Sequence, residues 1–363
     1  MARLLHRHAR GETTSAAGEP SPASPSPSPT SSSAPRLIPK TDGSPSSSSS
    51  ALRVRFWGVR GSHPVAHTLG SRIGVNTTCL EVRYGRHVLI LDAGSGIVAL
   101  GEELARELAS PREADRPTIS LLFTHAHHDH LCGLPFFAPL FRADADLNFF
   151  GPDQAGMTFE NIIAGYMRAP YFPVDFRDLP SRRRLMSVGD GIRLVWLPES
   201  NAPRLLHEHG VTPPDALVVD VLYSGLHPRD GTLMYRISSG GQSLVFATDV
   251  EVRGQNPEAD HRLIAFARSA DILIHDAQYS EQDYGGAAPK RGYGHSTPAM
   301  AVRVAREAGV GRLVLFHHEP HYDDQAVMEL ERQARADFPE TITAREGLEL
   351  RLDCLDGMRR RLV

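Results

Sequence analysis

The run Thr124-His-Ala-His-His-Asp-His130 sets four side chains able to bind a metal, His125, His127, Asp129 and His130, within six consecutive positions. Neutral imidazole and carboxylate are the common protein ligands of zinc and its neighbours, and such a run can serve two ions. The chemistry it points to is metal-assisted hydrolysis. The competing reading is a solvated histidine-rich loop or a single scavenging patch. Against it stands the flank: Ile119-Ser-Leu-Leu-Phe123 reads as a short buried strand, and the histidines begin where it ends. If residues 125–127 stay extended, a spacing of two sends His125 and His127 to the same side, toward one metal. Asp129 and His130, past a bend, then face a second.

Two coordination shells need more ligands, and other apolar runs supply them at their ends. Ser243-Leu-Val-Phe-Ala-Thr248 leads into Asp249, whose two oxygens suit a bridge between cations. Gly311-Arg-Leu-Val-Leu-Phe316 leads into His317 and His318, either of which can serve as the ligand. His227 precedes Pro228, a turn-like Arg229-Asp-Gly231 and the strand-like Thr232–Ile237. Taken singly, each is more simply a hydrogen-bonded residue at a strand end; together they complete both shells.

Around these residues further motifs fall in order: Phe56-Trp-Gly-Val-Arg-Gly-Ser62, Asn76-Thr-Thr-Cys79, Leu91-Asp-Ala-Gly94, His227 ahead of Tyr235-Arg236, Thr248-Asp249, Gly294-His-Ser-Thr297 and Leu315-Phe-His317. In this order the chain resembles the metallo-β-lactamase-fold hydrolases, and within them the phosphodiesterase branch that includes ribonuclease Z and the cyclic-phosphate phosphodiesterases. The resemblance implies an α+β fold, a four-layer αββα sandwich. It implies that His125, His127 and His227 hold one metal, that Asp129, His130 and His317 hold the other, and that Asp249 bridges them with a water or hydroxide. The ions would be two divalent cations, zinc first, with manganese or iron as alternatives. Asp92 would brace the ligand loops without binding metal. His295 would approach the scissile phosphate with Asp276 as its partner, and these two with Asp129 make up the implied catalytic set. Two positions depart from the pattern: His128 stands where a bulky residue such as Trp is common, and Gly74-Val-Asn76 where two glycines often precede the Asn.

The expected chemistry follows from why a phosphodiester resists water: its anionic oxygens repel a nucleophile, and neutral water is a weak one. Two cations answer both difficulties. His295 would then stabilise the transition state or protonate the leaving alkoxide, with Asp276 fixing its tautomer. Gly294 before it and Ser296-Thr-Pro298 after it read as a tight turn and an N-cap, which a plain surface histidine does not need.

The formal charge of −4 and the lack of a dense Lys/Arg block favour a small phosphodiester, such as a cyclic nucleotide, over large RNA. A ribonuclease Z-like tRNA 3′ endonuclease is the alternative, and a non-catalytic metal-binding or sensing module of the same fold a third. A β-lactamase role is disfavoured because Asp249 takes the place where those enzymes commonly use cysteine. Residues 1–51, dense in Ser and Pro, are expected to be a disordered tail ahead of a hydrolase domain over 52–363. Three scattered cysteines, Cys79, Cys132 and Cys354, fit reduced thiols, and with no long apolar run the expectation is a cytoplasmic protein without membrane contact; homodimerisation stays open.

Strands are expected over Val54–Trp57, Cys79–Tyr84, His87–Leu91, Leu147–Phe150, Gly191–Leu197 and Ala216–Tyr223, and helices over Ile97–Leu108, Thr158–Met167, Pro298–Glu307 and Asp324–Ala336. Substrate choice is expected to lie between His130 and His227, where Tyr166, Arg168 and Tyr171-Phe-Pro173 form either a nucleotide pocket or a lid on the core. Tyr279–Tyr293, rich in Gly, reads as a mobile loop over the site, while His63, His67 and His321 read as surface.

Overall fold

The computed structural model describes residues 51–66, 71–206, 212–254 and 256–352. The expected N-terminal tail, His67 and Cys354 lie outside the described residues. Six strands lead off a first sheet: β1 (Arg53–Gly58), β2 (Cys79–Tyr84), β3 (His87–Leu91), β4 (Thr118–Leu122), β5 (Asp146–Gly151) and β6 (Arg182–Ser187). The next eight build a second: β7 (Arg193–Trp196), β8 (Arg204–Leu206), β9 (Leu217–Ser224), β10 (Thr232–Ser239), β11 (Gln242–Ala247), β12 (Ile272–Asp276), β13 (Arg312–Phe316) and β14 (Thr341–Thr343). The last strand, β15 (Glu349–Arg351), crosses back to pair with β1. The spatial orders are β15-β1-β2-β3-β4-β5-β6 and β14-β13-β12-β11-β10-β9-β7-β8.

Strands buried on both faces read as unbroken apolar runs, and their alternation divides the cores. In β13, Val314 and Phe316 face the space between the sheets with Phe56, Trp196 and Phe246, while Leu313 and Leu315 face the opposite way. The first sheet is covered outside by α1 (Ile97–Leu108) and α3 (Phe159–Tyr166), which precede and follow the short α2 (His128–Leu131) in the apolar layer around Phe123, Phe137 and Phe149. Onto the second pack α4 (Pro257–Ala267) and, after the one-turn α5 (Glu281–Gly285), α6 (Pro298–Ala308); α7 (Asp324–Asp337) lies against α6 and β14. The result is the four-layer αββα sandwich. Among the described residues no helix is long and apolar enough to cross a membrane.

The arrangement matters because β3 through β6 are parallel, as are β11 through β14, so that their C-terminal ends gather along one edge. There the two sheets are joined by backbone: Leu233 N donates to Thr124 O (2.8 Å), and the buried Tyr235 hydroxyl donates to Phe123 O (2.6 Å). The second bond satisfies a phenol that would otherwise be orphaned in the core.

Candidate metal centre

Each strand end turns its functional side chain inward by a particular backbone device. His127 is extended (φ −66°, ψ 154°) and caps α2, so His125 and His127 leave β4 extended while Asp129 and His130 ride on the helix. Asp92, Asp249 and His317, just beyond β3, β11 and β13, all hold positive φ (60°, 54° and 62°). That left-handed backbone costs a non-glycine residue roughly 1–2 kcal/mol each, and it persists where surrounding bonds over-determine it.

The candidate ligand atoms converge in two overlapping sets. Those of His125, His127, His227 and Asp249 lie within 4.8 Å of one another, as do those of Asp129, His130, His317 and Asp249. Asp249 is shared, with Oδ2 3.6 Å from His125 Nε2 and Oδ1 3.3 Å from both His130 Nε2 and His317 Nε2. His127 Nδ1 and His227 Nε2 stand 3.1 Å apart. The Nε2 atoms of His125 and His130 are buried with no hydrogen-bonding partner, the mark of lone pairs kept for something else. A nitrogen and oxygen donor set of this kind fits zinc, manganese or iron.

The far sides of the rings are held. His130 Nδ1 donates to Asp92 Oδ2 (2.8 Å), whose carboxylate also accepts from Thr124 N and Oγ1. His227 Nδ1 donates to Gly294 O (3.1 Å), and His317 Nδ1 to Gln278 Oε1 (3.1 Å). Each bond fixes a tautomer with Nε2 free to ligate. Asp129 Oδ2 accepts from Ser62 N (2.8 Å). Gly61 leaves room for His317, since a Cβ there would come 2.4 Å from its ring.

Electrostatics separate the sets. Burial holds the His125 imidazole well below its usual range and lowers His127 and His227 too. His130 goes the other way: burial opposes its charge, but Asp249, Asp129 and Asp92 together hold it well above. Burial acts to raise Asp249, yet His317, His130 and His125 keep its carboxylate well below the ordinary range.

A third grouping joins Asp249, Asp276, His295 and His317. Asp276 is the poorest ligand candidate in it, because its oxygens already accept from His295 Nδ1 (2.7 Å) and the backbone N–H groups of Asp249, Gln278 and Ser296. It braces His295 instead. Burial opposes charge on His295, but Asp276 first, then Asp249 and Asp129, raise it to about 9. The ring stacks on His317 with centroids 4.9 Å apart.

Two residues at this site escaped sequence reading. Glu251, 3% exposed, accepts from the Tyr284 hydroxyl (2.8 Å), Gly292 N (2.8 Å) and Gly294 N (3.0 Å). It thereby anchors the segment whose Gly294 carbonyl orients His227 and whose next residue is His295. Gly294 itself (φ +91°) must lack a Cβ, which would fall 2.2 Å from His227 Nδ1. Gln278, the second, links His317 to Glu319 Oε2 (2.9 Å). A carboxylate two positions beyond Asp249 and an amide two beyond Asp276 were the only signals.

Other expectations resolve by placement. His318 turns away and is buried against Ala344 O (3.1 Å), so His317 is the one in the cluster. His63 and His321 are exposed. Cys132 caps the C-terminus of α2, with Sγ 3.4 Å from Thr77 Oγ1. Tyr279–Tyr293 contains α5, and its Tyr284 hydroxyl and Gly292 N donate to Glu251.

Residues 86–318 match the family model of the beta-lactamase superfamily domain, and the chain belongs to that superfamily as a metallo-β-lactamase-fold hydrolase. Proteins named ribonuclease Z are among its relatives. A ribonuclease Z of Thermoplasma acidophilum is 27% identical over 318 residues, spanning 83% of this chain and 96% of that protein. The fold is shared with the metallo-beta-lactamase fold protein YhfI of Bacillus subtilis (TM-score 0.56, 19% identity, 83% of this chain and 99% of the other). A diphosphatase of the PhnP family shares it too (TM-score 0.55, 16% identity, 82% and 97%).

Proposed function

We propose that this hydrolase is a dinuclear metal-dependent phosphodiesterase acting on a small phosphodiester such as a cyclic nucleotide. One observation carries the reading: two four-residue donor sets share the buried carboxylate of Asp249, and the His295–Asp276 pair stands against them. His125, His127 and His227 would hold one divalent cation, and Asp129, His130 and His317 the other. When bound, such a pair supplies deprotonated water near neutral pH and draws charge from the phosphoryl oxygens. The chain's own groups do the rest. Asp276 accepts the hydrogen bond from His295 Nδ1–H, which turns Nε2–H toward a phosphoryl oxygen or the departing alkoxide. Asp92, Gln278 and the Gly294 carbonyl hold the imidazoles in place, so little reorganisation accompanies the reaction.

The second reading, a ribonuclease Z-like endonuclease cutting the same bond in RNA, is favoured by the 27% identity that extends over most of both chains. The formal charge of −4 weighs against it, since a large RNA partner calls for a basic surface. Metal analysis of the purified full chain, followed by bis(p-nitrophenyl) phosphate, cyclic nucleotides and a tRNA precursor, separates the two. Turnover of small diesters without cleavage of the precursor supports the first, and the reverse pattern selects the second. A protein that takes up no metal sinks both.

A further inference from the structure

Beside the cluster lies a cavity of about 950 Å³, bounded by α2, α3 and the Pro228–Gly231 turn, with His127 common to both. Its size is at the upper end for small-molecule sites, roughly 300–1,000 Å³. The wall is apolar, built from Leu131, Pro135, Phe136, Met157, Ile162 and Phe172. The amide of Gln154 is occupied by Ala126 N and Gly231 O, and the Tyr166 hydroxyl lies 3.0 Å from His128 Nδ1. Arg168 and Arg229 border the cavity but are exposed.

The rim tells a ligand site from a lid. Phe136, Met157 and Tyr171 are 46%, 48% and 80% exposed, and they make up half of the six large apolar side chains left in solvent among the described residues. A lid packed on the core would bury them; a clustered apolar rim marks a surface that receives something.

We propose that this cavity takes the organic group esterified to the phosphate, and that the group is an uncharged planar ring of aryl or nucleobase type. This rests on the phosphodiesterase reading and adds the substrate class: aromatic diesters ahead of alkyl ones. The phosphate goes to the cluster at the His127 side, and the ring lies against α3.

Gly165 allows a clean test. It lines the cavity from α3, and a Cβ there would meet nothing within 4 Å, so a larger side chain enters empty space. The metal-loaded full chain is titrated calorimetrically with methyl phosphate, 1-naphthyl phosphate and adenosine 5′-monophosphate, and the titrations are repeated with Gly165→Phe. Burying an aromatic ring should tighten 1-naphthyl phosphate or the nucleotide over methyl phosphate by at least about tenfold. Gly165→Phe should erase that preference and leave methyl phosphate unchanged. Whichever aromatic ligand binds tighter distinguishes an aryl group from a nucleobase. Equal affinity of all three for the wild-type protein overturns the proposal without touching the cluster, and this arm needs no variant to fold. Binding of none of them, methyl phosphate included, overturns the phosphodiesterase reading beneath it.

Discussion

The two donor sets are built from similar residues but sit differently. His127 is exposed at the cavity mouth, and the three imidazoles of its set are all shifted toward the neutral form, His125 most strongly through its burial. The other set, Asp129, His130 and His317, is buried throughout and carries Asp92 behind His130 and Gln278 behind His317. A neutral, open half and a carboxylate-rich, sealed half should differ in function. The sealed half is suited to hold its ion, the open half to exchange ligands and meet substrate.

The difference can be broken outright at the residue both halves share. Asp249→Ala should abolish metal binding in both sets and bring turnover to background, read by metal content and phosphodiester assay together. Retention of one metal per chain would show that the halves are independent. His295→Ala removes no member of either set, and should lower turnover by about 100- to 10,000-fold while metal content stays at its wild-type value. Equal turnover would remove His295 from the chemistry. Asp92→Ala should weaken metal at the sealed half by about 10- to 100-fold, whereas Glu251→Ala, which frees the Gly294 carbonyl from its anchor, should do so at the open half by a similar factor. Chelator titration of the two variants would sharpen the comparison if they shed different ions, and would break it if they shed the same one.

The smallest effect is on pH. In metal-free protein the folded state raises His295 to about 9 from an ordinary 6.5. A raised pKa means that the folded state binds the proton more tightly. The stabilisation is therefore complete below about pH 6.5 and is lost as pH rises through about 9. The melting temperatures of metal-free wild type and His295→Ala should thus draw closer between these values, by differential scanning calorimetry. A gap that widens instead would reverse the sign.

Much of the architecture was legible because burial on two faces leaves plain apolar runs. The bounds expected for β2, β3 and α1 coincide with those observed. What hid was polar or short. The three consecutive arginines of β6 mask an edge strand that is half exposed, and α4 fully buries just three apolar side chains, Leu263, Ile264 and Ala267, despite an Asn256 cap and a Pro at its start. β8, β14 and β15 span three residues each, too few to show a period. At the site, His125, His127, Asp129 and His130 advertised themselves by spacing, and His227, Asp249, His295 and His317 by lying at the ends of apolar runs or beside turn residues. Glu251 and Gln278 did not, because a lone acid or amide acquires meaning only from which backbone groups the tertiary fold aims at it. The apolar cavity was equally hidden, since the same aromatics would serve a lid.

The return of β15 to β1 has a consequence for synthesis. Until residues 349–351 emerge, β1 remains an open edge able to pair with another chain. The histidine run is made early, but Asp249 and His317 come more than a hundred residues later. A nascent chain therefore carries its histidine-rich segment without Asp249 and His317 while the intervening residues are made. Products truncated before residue 349 should therefore aggregate more readily than the full chain.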